Sequence, residues 1–160
     1  MRWIHIDRIV ELREGEYCKA VKSVGIGEDY MQDHFPTYPV MPETLIIEGI
    51  AQTGGILVGH AHAFKEKIIL AKIPKAVFHR FVKAGDQMVL EAQAEEIHKE
   101  GARISGKVWV GKDLVAEIAL MYVNLRQGQA LPSDNFVFTW EFLSLLKLHE
   151  VTPLEKILGK

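Results

Sequence analysis

The chain has 160 residues, of which 48% are hydrophobic and 25% charged, and its formal net charge is −2. These values are typical of a globular protein that can bury a sizeable core in one domain. The balanced charge argues against nucleic acid as a partner, and no apolar run is long enough to span a bilayer. A single cysteine, Cys18, excludes an internal disulfide framework. Because the first residues contain no hydrophobic segment, we expect a cytoplasmic protein without a signal peptide.

Residues 4–26 predict a β-hairpin. Two apolar-rich runs, Ile9–Leu12 and Tyr17–Val24, are joined by a turn that contains glycine, and the second run alternates in polarity. Cys18 lies in the second run with no neighbour that would activate a thiol, so we interpret it as a small packed residue.

Residues 27–43 predict a loop. Its second half contains Pro36, Pro39 and Pro42, which fix φ and remove backbone donors. We therefore expect His34 on a stiff, extended segment. A histidine in a loop is usually an ordinary polar residue, so His34 alone indicates little.

The residues from 43 to about 63 predict a buried helix, because apolar residues recur at helical spacing nearly all round it. Its several glycines each cost about 1 kcal/mol relative to alanine, which is tolerable where another backbone approaches closely. Three polar side chains interrupt the apolar surface, and two of them, Glu48 and Gln52, share a face; the third is Thr44.

The sequence allows two interpretations of Glu48. A buried carboxylate is costly unless it is paired or hydrogen-bonded, so Gln52 could satisfy it with no further consequence. Alternatively it is catalytic, since an imidazole on a rigid loop and a carboxylate on the next helix can together move protons.

Strand-like runs follow at 68–74, 76–83, 88–98, 102–111 and 114–125, separated by short turns. Short connections predict an antiparallel sheet, since parallel strands need longer crossovers. One buried helix inside one antiparallel sheet is an α+β arrangement.

Residues 128–160 predict an extension: a linker at 128–135, then two short amphipathic helices. Phe138 and Phe142 fall at helical spacing, and Thr152–Glu155 resembles a capping box. The extension either docks on the chain's own sheet or on a neighbouring subunit, or it has a separate function.

No set of cysteines and histidines has zinc-like spacing. His60 and His62, at the end of the helix, point to different faces, so we expect no metal site.

The proline loop and helix resemble the signature of the 3-hydroxyacyl-[acyl-carrier-protein] dehydratases (FabA/FabZ-type), which reads His-Phe-Pro-Gly-x-Pro-x-Met-Pro-Gly-x-Leu-x-x-Glu-x-x-x-Gln. Here the signature runs from His34 through Glu48 to Gln52. The resemblance continues through Lys75–Arg80 and Ala84–Gln87 and covers roughly residues 5–125. Glu48, where the double-bond-isomerising branch has Asp, favours the FabZ-like branch.

The resemblance implies a hot-dog fold over residues 1–127, with an antiparallel sheet around one long helix, and residues 128–160 as a short helical extension. It implies dehydration of a 3-hydroxyacyl chain delivered on the phosphopantetheine arm of an acyl carrier protein, with no resident cofactor. His34 would be the base and Glu48 the acid, contributed across the interface of a homodimer. A trimer of dimers is the further assembly that the family suggests.

The resemblance also assigns two further sets of residues. The substrate would be held by the backbone amide of Glu43 as oxyanion donor, with Thr44, Gln52 and Phe78. A local basic cluster would dock the acidic carrier protein, or else form a solvated strand face: Lys72, Lys75, Arg80 and Lys83.

Three positions depart from the family pattern. Glu43 and Thr37 replace glycines, and Phe81 replaces a proline. Two other functions stay open: a hot-dog acyl thioesterase, which would not need His34, and a non-catalytic acyl-binding or scaffold subunit, which would tolerate Glu43.

Overall fold

One antiparallel sheet wraps around one long helix in the computed structural model, which describes residues 3–125, 132 and 134–158. The strands are β1 Arg8–Arg13, β2 Tyr17–Ser23, β3 Ile68–Phe78, β4 Gln87–Ile97, β5 Gly101–Val110 and β6 Asp113–Asn124. The α-helices are α1 Asp29–Asp33, α2 Glu43–Ala61, α3 Trp140–Leu145 and α4 Leu154–Leu158, with a 3-10 turn at Leu148–Glu150.

The strand order in the sheet is β1-β2-β4-β5-β6-β3, and every neighbouring pair is antiparallel. The predicted hairpin β1–β2 and the meander β4–β5–β6 are both present. The α+β hot-dog arrangement implied by the resemblance is confirmed: short turns forced antiparallel pairing, and the apolar helix required a sheet to cover it.

The core lies between α2 and the concave face of the sheet. Alternate residues of β4, Met88 and Leu90, are fully buried, as are Ile50 and Ile56 of α2. Cys18 is also fully buried, and burial raises the pKa of its thiol, which fits its reading as a packed residue. Among the described helices, none has both the length and the apolar composition needed to cross a membrane.

Two glycines of α2 allow neighbouring groups to approach the helix closely. A Cβ on Gly49 would come within 2.9 Å of the His5 carbonyl oxygen, and one on Gly54 within 2.6 Å of the Tyr122 hydroxyl. Because residue 54 has no side chain, the Tyr122 hydroxyl can approach the helix and donate to the carbonyl oxygen of Ala51 at 2.7 Å. The cost of glycine in this helix is therefore offset by close packing.

The prediction of an uninterrupted loop over residues 27–43 was wrong at its start, where α1 occupies Asp29–Asp33. Tyr30 and Met31 are buried in this turn. A five-residue helix is not stable by itself, so its formation depends on this tertiary burial and leaves no periodic signal in the sequence.

The two strands predicted at 68–74 and 76–83 are one strand, β3, which ends at Phe78. Pro74 lies inside it. Proline removes a ladder donor, but β3 pairs only with β6 among the described strands, and an edge strand tolerates this loss. The pairing register shifts between Leu70 and Lys72 and again between Lys72 and Lys75.

The described part of the extension packs on the chain's own core, and it has three short helical segments where two were predicted. Leu146 and Leu148 are fully buried, and the Leu146 carbonyl accepts from the Ile9 amide at 3.1 Å. The Thr152 hydroxyl, predicted to cap a helix, forms a buried 2.9 Å hydrogen bond with His60 Nε2. The predicted boundary at 127/128 and most of the linker 128–135 lie outside the described residues.

The His60–Thr152 contact predicts a pH dependence of stability. Burial lowers the pKa of His60 below its ordinary 6.5, against a smaller opposing effect of Glu14. The pKa of His5 is also lowered, mainly by burial. Since the unfolded chain then binds more protons than the folded one, the free energy of unfolding should decrease as the pH falls below 6.5.

Urea unfolding of the parent and of His60→Gln, measured at pH values above and below 6.5, tests this pH dependence of the free energy of unfolding. We expect a shallower decline in His60→Gln, with the remainder due to His5. His149→Gln is the matched control, because His149 lies exposed in the same extension. Equal slopes for the parent and His60→Gln would contradict this assignment.

Candidate active site

The loop that carries His34 is held by its own backbone. The His34 amide caps α1 by donating to the Tyr30 carbonyl at 3.1 Å, and the Val40 amide donates to the His34 carbonyl at 2.9 Å. Phe35 and Tyr38 exchange two backbone bonds of 3.1 and 2.9 Å, and the His34–Phe35 peptide is cis. The stiff segment that the prolines predicted is therefore tied at both ends.

The surroundings of the His34 ring determine its tautomer. Nδ1 lies 3.2 Å from the Val40 carbonyl oxygen. A carbonyl can only accept a hydrogen bond, so Nδ1 carries the proton and Nε2 of the neutral ring has a free lone pair. The ring stacks on Phe35 with centroids 4.2 Å apart. His34 is half-buried and is arranged to accept a proton at Nε2.

The amino-terminal end of α2 presents free backbone donors. Pro42 is the N-cap, and the first intrahelical bond runs from the Leu45 amide to the Pro42 carbonyl at 3.0 Å. The amides of Glu43 and Thr44 precede that bond, so they are among the helix-terminal donors without an intrahelical acceptor. Glu43 replaces the glycine of the family pattern, and this replacement leaves the backbone N–H of residue 43 in place.

Glu48 and Gln52 are joined one turn apart on α2. Gln52 Nε2 donates to Glu48 Oε1 at 2.8 Å and to the Trp3 carbonyl at 3.0 Å, while Gln52 Oε1 accepts from the His5 amide at 2.9 Å. The amide group of Gln52 is thus fixed from three sides, and it holds one oxygen of Glu48, while no hydrogen bond from the described residues reaches the other oxygen.

Glu48 and Gln52 open onto a cavity of about 420 Å³. Tyr122 and Ile68 line it from the sheet, and Phe136 from the extension. A largely apolar cavity with a few convergent polar groups is the usual form of a small-molecule site. The predicted residues Glu48 and Gln52 therefore face space that a substrate can occupy.

A second cavity, of about 520 Å³, brings together four other predicted residues, which are Glu43, Phe78, Arg80 and Lys83. Arg80 is engaged within the chain, since its Nη1 lies 3.2 Å from Asp86 and its Nε 3.5 Å from Asp113. Lys83 lies over the ring of Tyr38, 4.6 Å from the centroid.

Lys72 and Lys75 are exposed on β3 and line neither cavity. The basic cluster is therefore divided. Two members form one side of the second cavity, and two lie on the free edge of the sheet.

The two proton-transfer candidates, His34 and Glu48, are carried by different elements, the loop before α2 and α2 itself. No hydrogen bond among the described residues joins them, and His34 lines neither of the two cavities.

Sequence reasoning missed several residues of the Glu48 cavity. Trp3 and the segment 136–139 line it, together with Phe142. Helical spacing indicated that Phe138 and Phe142 dock somewhere, but spacing within a segment contains no information about which surface receives it.

The comparisons with known proteins concern the first three quarters of the chain. The FabA-like domain family matches residues 3–119. The 3-hydroxyacyl-[acyl-carrier-protein] dehydratase FabZ of Caldanaerobacter subterraneus subsp. tengcongensis is 39% identical over 119 residues, which cover 74% of this chain and 84% of that protein. FabZ of Listeria monocytogenes is 40% identical over 118 residues, covering 73% of this chain and 82% of that protein.

Solved structures show the same fold at low sequence identity. The dehydratase heterocomplex ApeI:P from Xenorhabdus doucetiae has a TM-score of 0.65 at 12% identity, covering 78% of this chain and 85% of that one. The PaaI protein of E. coli has a TM-score of 0.58 at 14% identity, covering 72% and 81%. The match to the FabA-like family and the identity to the FabZ sequences establish that the chain belongs to the FabA-like family, on its FabZ side.

Proposed function

We propose that the protein dehydrates (3R)-3-hydroxyacyl chains, carried as thioesters on an acyl carrier protein, to trans-2-enoyl chains in fatty-acid or related acyl-chain synthesis. The observation that carries the proposal is the His34–Val40 contact, which leaves Nε2 of a rigidly held ring free as a base. The FabZ relatives carry this reaction in their names.

The proposed reaction removes one water molecule from the 3-hydroxyacyl chain. His34 Nε2 takes the proton from the carbon next to the thioester carbonyl, and the electron pair of that C–H bond becomes the new double bond. The C–O bond at the next carbon breaks, and Glu48 gives its proton to the departing hydroxyl, so that water leaves. The chain needs no resident cofactor for this step, and the phosphopantetheine arm belongs to the carrier.

The backbone amide of Glu43 is the proposed oxyanion donor. As the thioester carbonyl gains negative charge, a free N–H at the positive end of α2 stabilises it. Thr44 adds a neighbouring amide, and Phe78 contacts the substrate from the second cavity. Both amides are free because α2 starts at Glu43.

A homodimer would complete the site if His34 of one chain meets Glu48 of the other, since no hydrogen bond among the described residues joins the two within one chain. The free edge of β3 supports this assembly, since its residues 71–77 are exposed and include the apolar Ile73 and Val77. An unprotected edge strand readily pairs with another strand. A trimer of dimers is the further assembly we propose to look for by light scattering.

Lys72, Lys75, Arg80 and Lys83 are the proposed carrier-docking residues. Lys72 and Lys75 are exposed in the protomer, on the β3 edge, whereas Arg80 is engaged by Asp86 and Asp113. A cytoplasmic location fits this partner and stays a prediction.

One assay separates this function from the two other classes. Incubation with a crotonyl thioester should give the 3-hydroxybutyryl product, detected by mass spectrometry. Release of free thiol instead would identify a thioesterase, and no change with retained binding would identify a non-catalytic acyl-binding subunit.

Substitution of either proton-transfer group should abolish most of this activity. We expect His34→Ala and Glu48→Gln each to lower kcat by about 10²–10⁴-fold, the usual contribution of a general acid or base, without unfolding the protein. His98→Ala and Glu95→Gln, both at exposed positions, are matched controls and should keep parental rates. Retention of rates within about tenfold in either site variant would exclude its assigned role.

Mixing the two inactive variants tests whether the site crosses the dimer interface. After unfolding and refolding together, half of the dimers combine the two chains, and each has one intact site if His34 and Glu48 come from different chains. We then expect about a quarter of the parental activity. No recovery would mean that both groups act within one chain.

Glu43→Gly should keep or modestly raise turnover. Only the amide of residue 43 is required, and the change removes a negative charge that opposes the developing oxyanion. It should also lower the free energy of unfolding by about 0.3–1 kcal/mol, because the carboxylate suits the helix dipole. Glu43→Gln is the control that removes the charge but keeps the side chain. A large loss of activity in both variants would show that the carboxylate itself participates.

A further inference from the structure

The described part of the extension, residue 132 and residues 134–158, lies outside the region 3–119 that matches the FabA-like family, and it is fixed to the rest of the protomer. Asn135 provides the first anchor with both ends of its side-chain amide. Nδ2 donates to the carbonyls of Phe64 and Glu66 at 2.9 and 3.1 Å, and Oδ1 accepts from the amides of Val137 and Phe138 at 3.0 and 3.2 Å.

Phe138 provides the second anchor, at the carboxyl end of α2. Its ring packs edge-on against Phe64, with centroids 5.3 Å apart, and a Cβ on Gly59 would come within 2.7 Å of it. Phe138 is 8% exposed. Residues 136–142 are therefore held against α2 on the side that carries Glu48.

The cavity beside Glu48 depends on this placement. One wall comes from β3 and β6 and includes Ile68, Leu70 and Tyr122, and the opposite wall comes from the extension, with Phe136 and Phe142. Without the extension the groove along α2 would lack that second wall.

The cavity follows the surface of α2. Glu48 and Gly55 both line it and are seven residues apart, which is about 10 Å along a helix. Glu48 lies at one end of this stretch and Gln52 about 6 Å further along the helix. Most of the remaining lining residues are apolar. An acyl chain with its reacting carbons at Glu48 would therefore extend towards Gly55.

We propose that residues 136–139 and Phe142 form the outer wall of the acyl-chain pocket and set the preference of the enzyme for longer acyl chains. This inference rests on the proposed function, since it takes Glu48 as the reacting end of the cavity. The ligand class is a linear saturated or trans-2-unsaturated acyl thioester, and Phe136 and Phe142 are specificity-determining residues.

Two substitutions change the pocket from opposite sides. Phe136→Ala removes apolar wall from a side chain that is 47% exposed, so little core packing is lost. Gly55→Leu fills the far end of the cavity. A Cβ at Gly55 meets nothing nearer than Tyr122 Cε1 at 3.7 Å, so the helix accepts a side chain there.

Each substitution has a matched control. Trp140→Ala removes an equally exposed aromatic ring of the extension, 46% exposed, that does not line the cavity. Gly55→Ala adds only the Cβ that the site accommodates. Thermal unfolding of all four variants confirms that they are folded.

The experiment compares hydration of crotonyl, octenoyl and dodecenoyl thioesters. In Phe136→Ala and Gly55→Leu, kcat/KM for dodecenoyl should fall at least about tenfold relative to crotonyl, which does not reach the far end of the cavity. Trp140→Ala should keep the parental ratio, and Gly55→Ala, which adds only a Cβ to the lining, should lower it less than Gly55→Leu does. A ratio that is unchanged or higher in both test variants overturns the inference and leaves the dehydratase function standing.

Binding of saturated thioesters separates this inference from the proposed function. Titration calorimetry with dodecanoyl-pantetheine and butyryl-pantetheine needs no catalysis, and we expect the two test variants to lose affinity for the longer ligand alone. If the parent hydrates no thioester but this selective loss is seen, the wall assignment holds and the dehydratase function fails. If dodecanoyl-pantetheine binds the parent and both test variants equally, the wall assignment fails.

Discussion

The structure depends on the enclosure of α2. A 19-residue helix that is apolar on nearly every side can be covered only by a sheet that curves around it, and the strands β2, β3, β4, β5 and β6 provide that surface. Close approach then requires positions such as Gly54, where any side chain would strike Tyr122. The fold follows from this one constraint, and the polar residues on α2 mark where the enclosure is incomplete.

One of these polar residues, Glu48, is the proposed acid. Glu48 would be costly inside an apolar enclosure, but Gln52 provides a hydrogen bond and is itself fixed by the backbone at Trp3 and His5. The hydrogen bond from Gln52 is therefore compatible both with a purely structural role for Glu48 and with a catalytic one. What favours catalysis is the open cavity on which the carboxylate lies, since a purely structural pair would gain nothing from it.

Elements with strong local signals were predictable from the sequence. The period of α2 and the short turns of the meander have purely local causes, and both appear as expected. The misses have non-local causes: α1 depends on burial of Tyr30 and Met31, and the continuation of β3 through Pro74 depends on its place at the sheet edge. Thr152 matched a local capping pattern, but its hydroxyl bonds a histidine 92 residues away.

The candidate site divides in the same way. The sequence motif identifies His34 and Glu48, whereas their hydrogen-bond partners, Val40 and Gln52, are seen only in the fold. The position of the extension was also visible only in the fold. Phe138 packs against Gly59 near the end of α2, the helix that also carries Glu48. The proposed acid is therefore part of α2, and the proposed wall of the acyl pocket packs against the same helix. A chain held by that wall would keep a fixed position relative to Glu48, while His34, on its separate loop, would have to be positioned by the assembly.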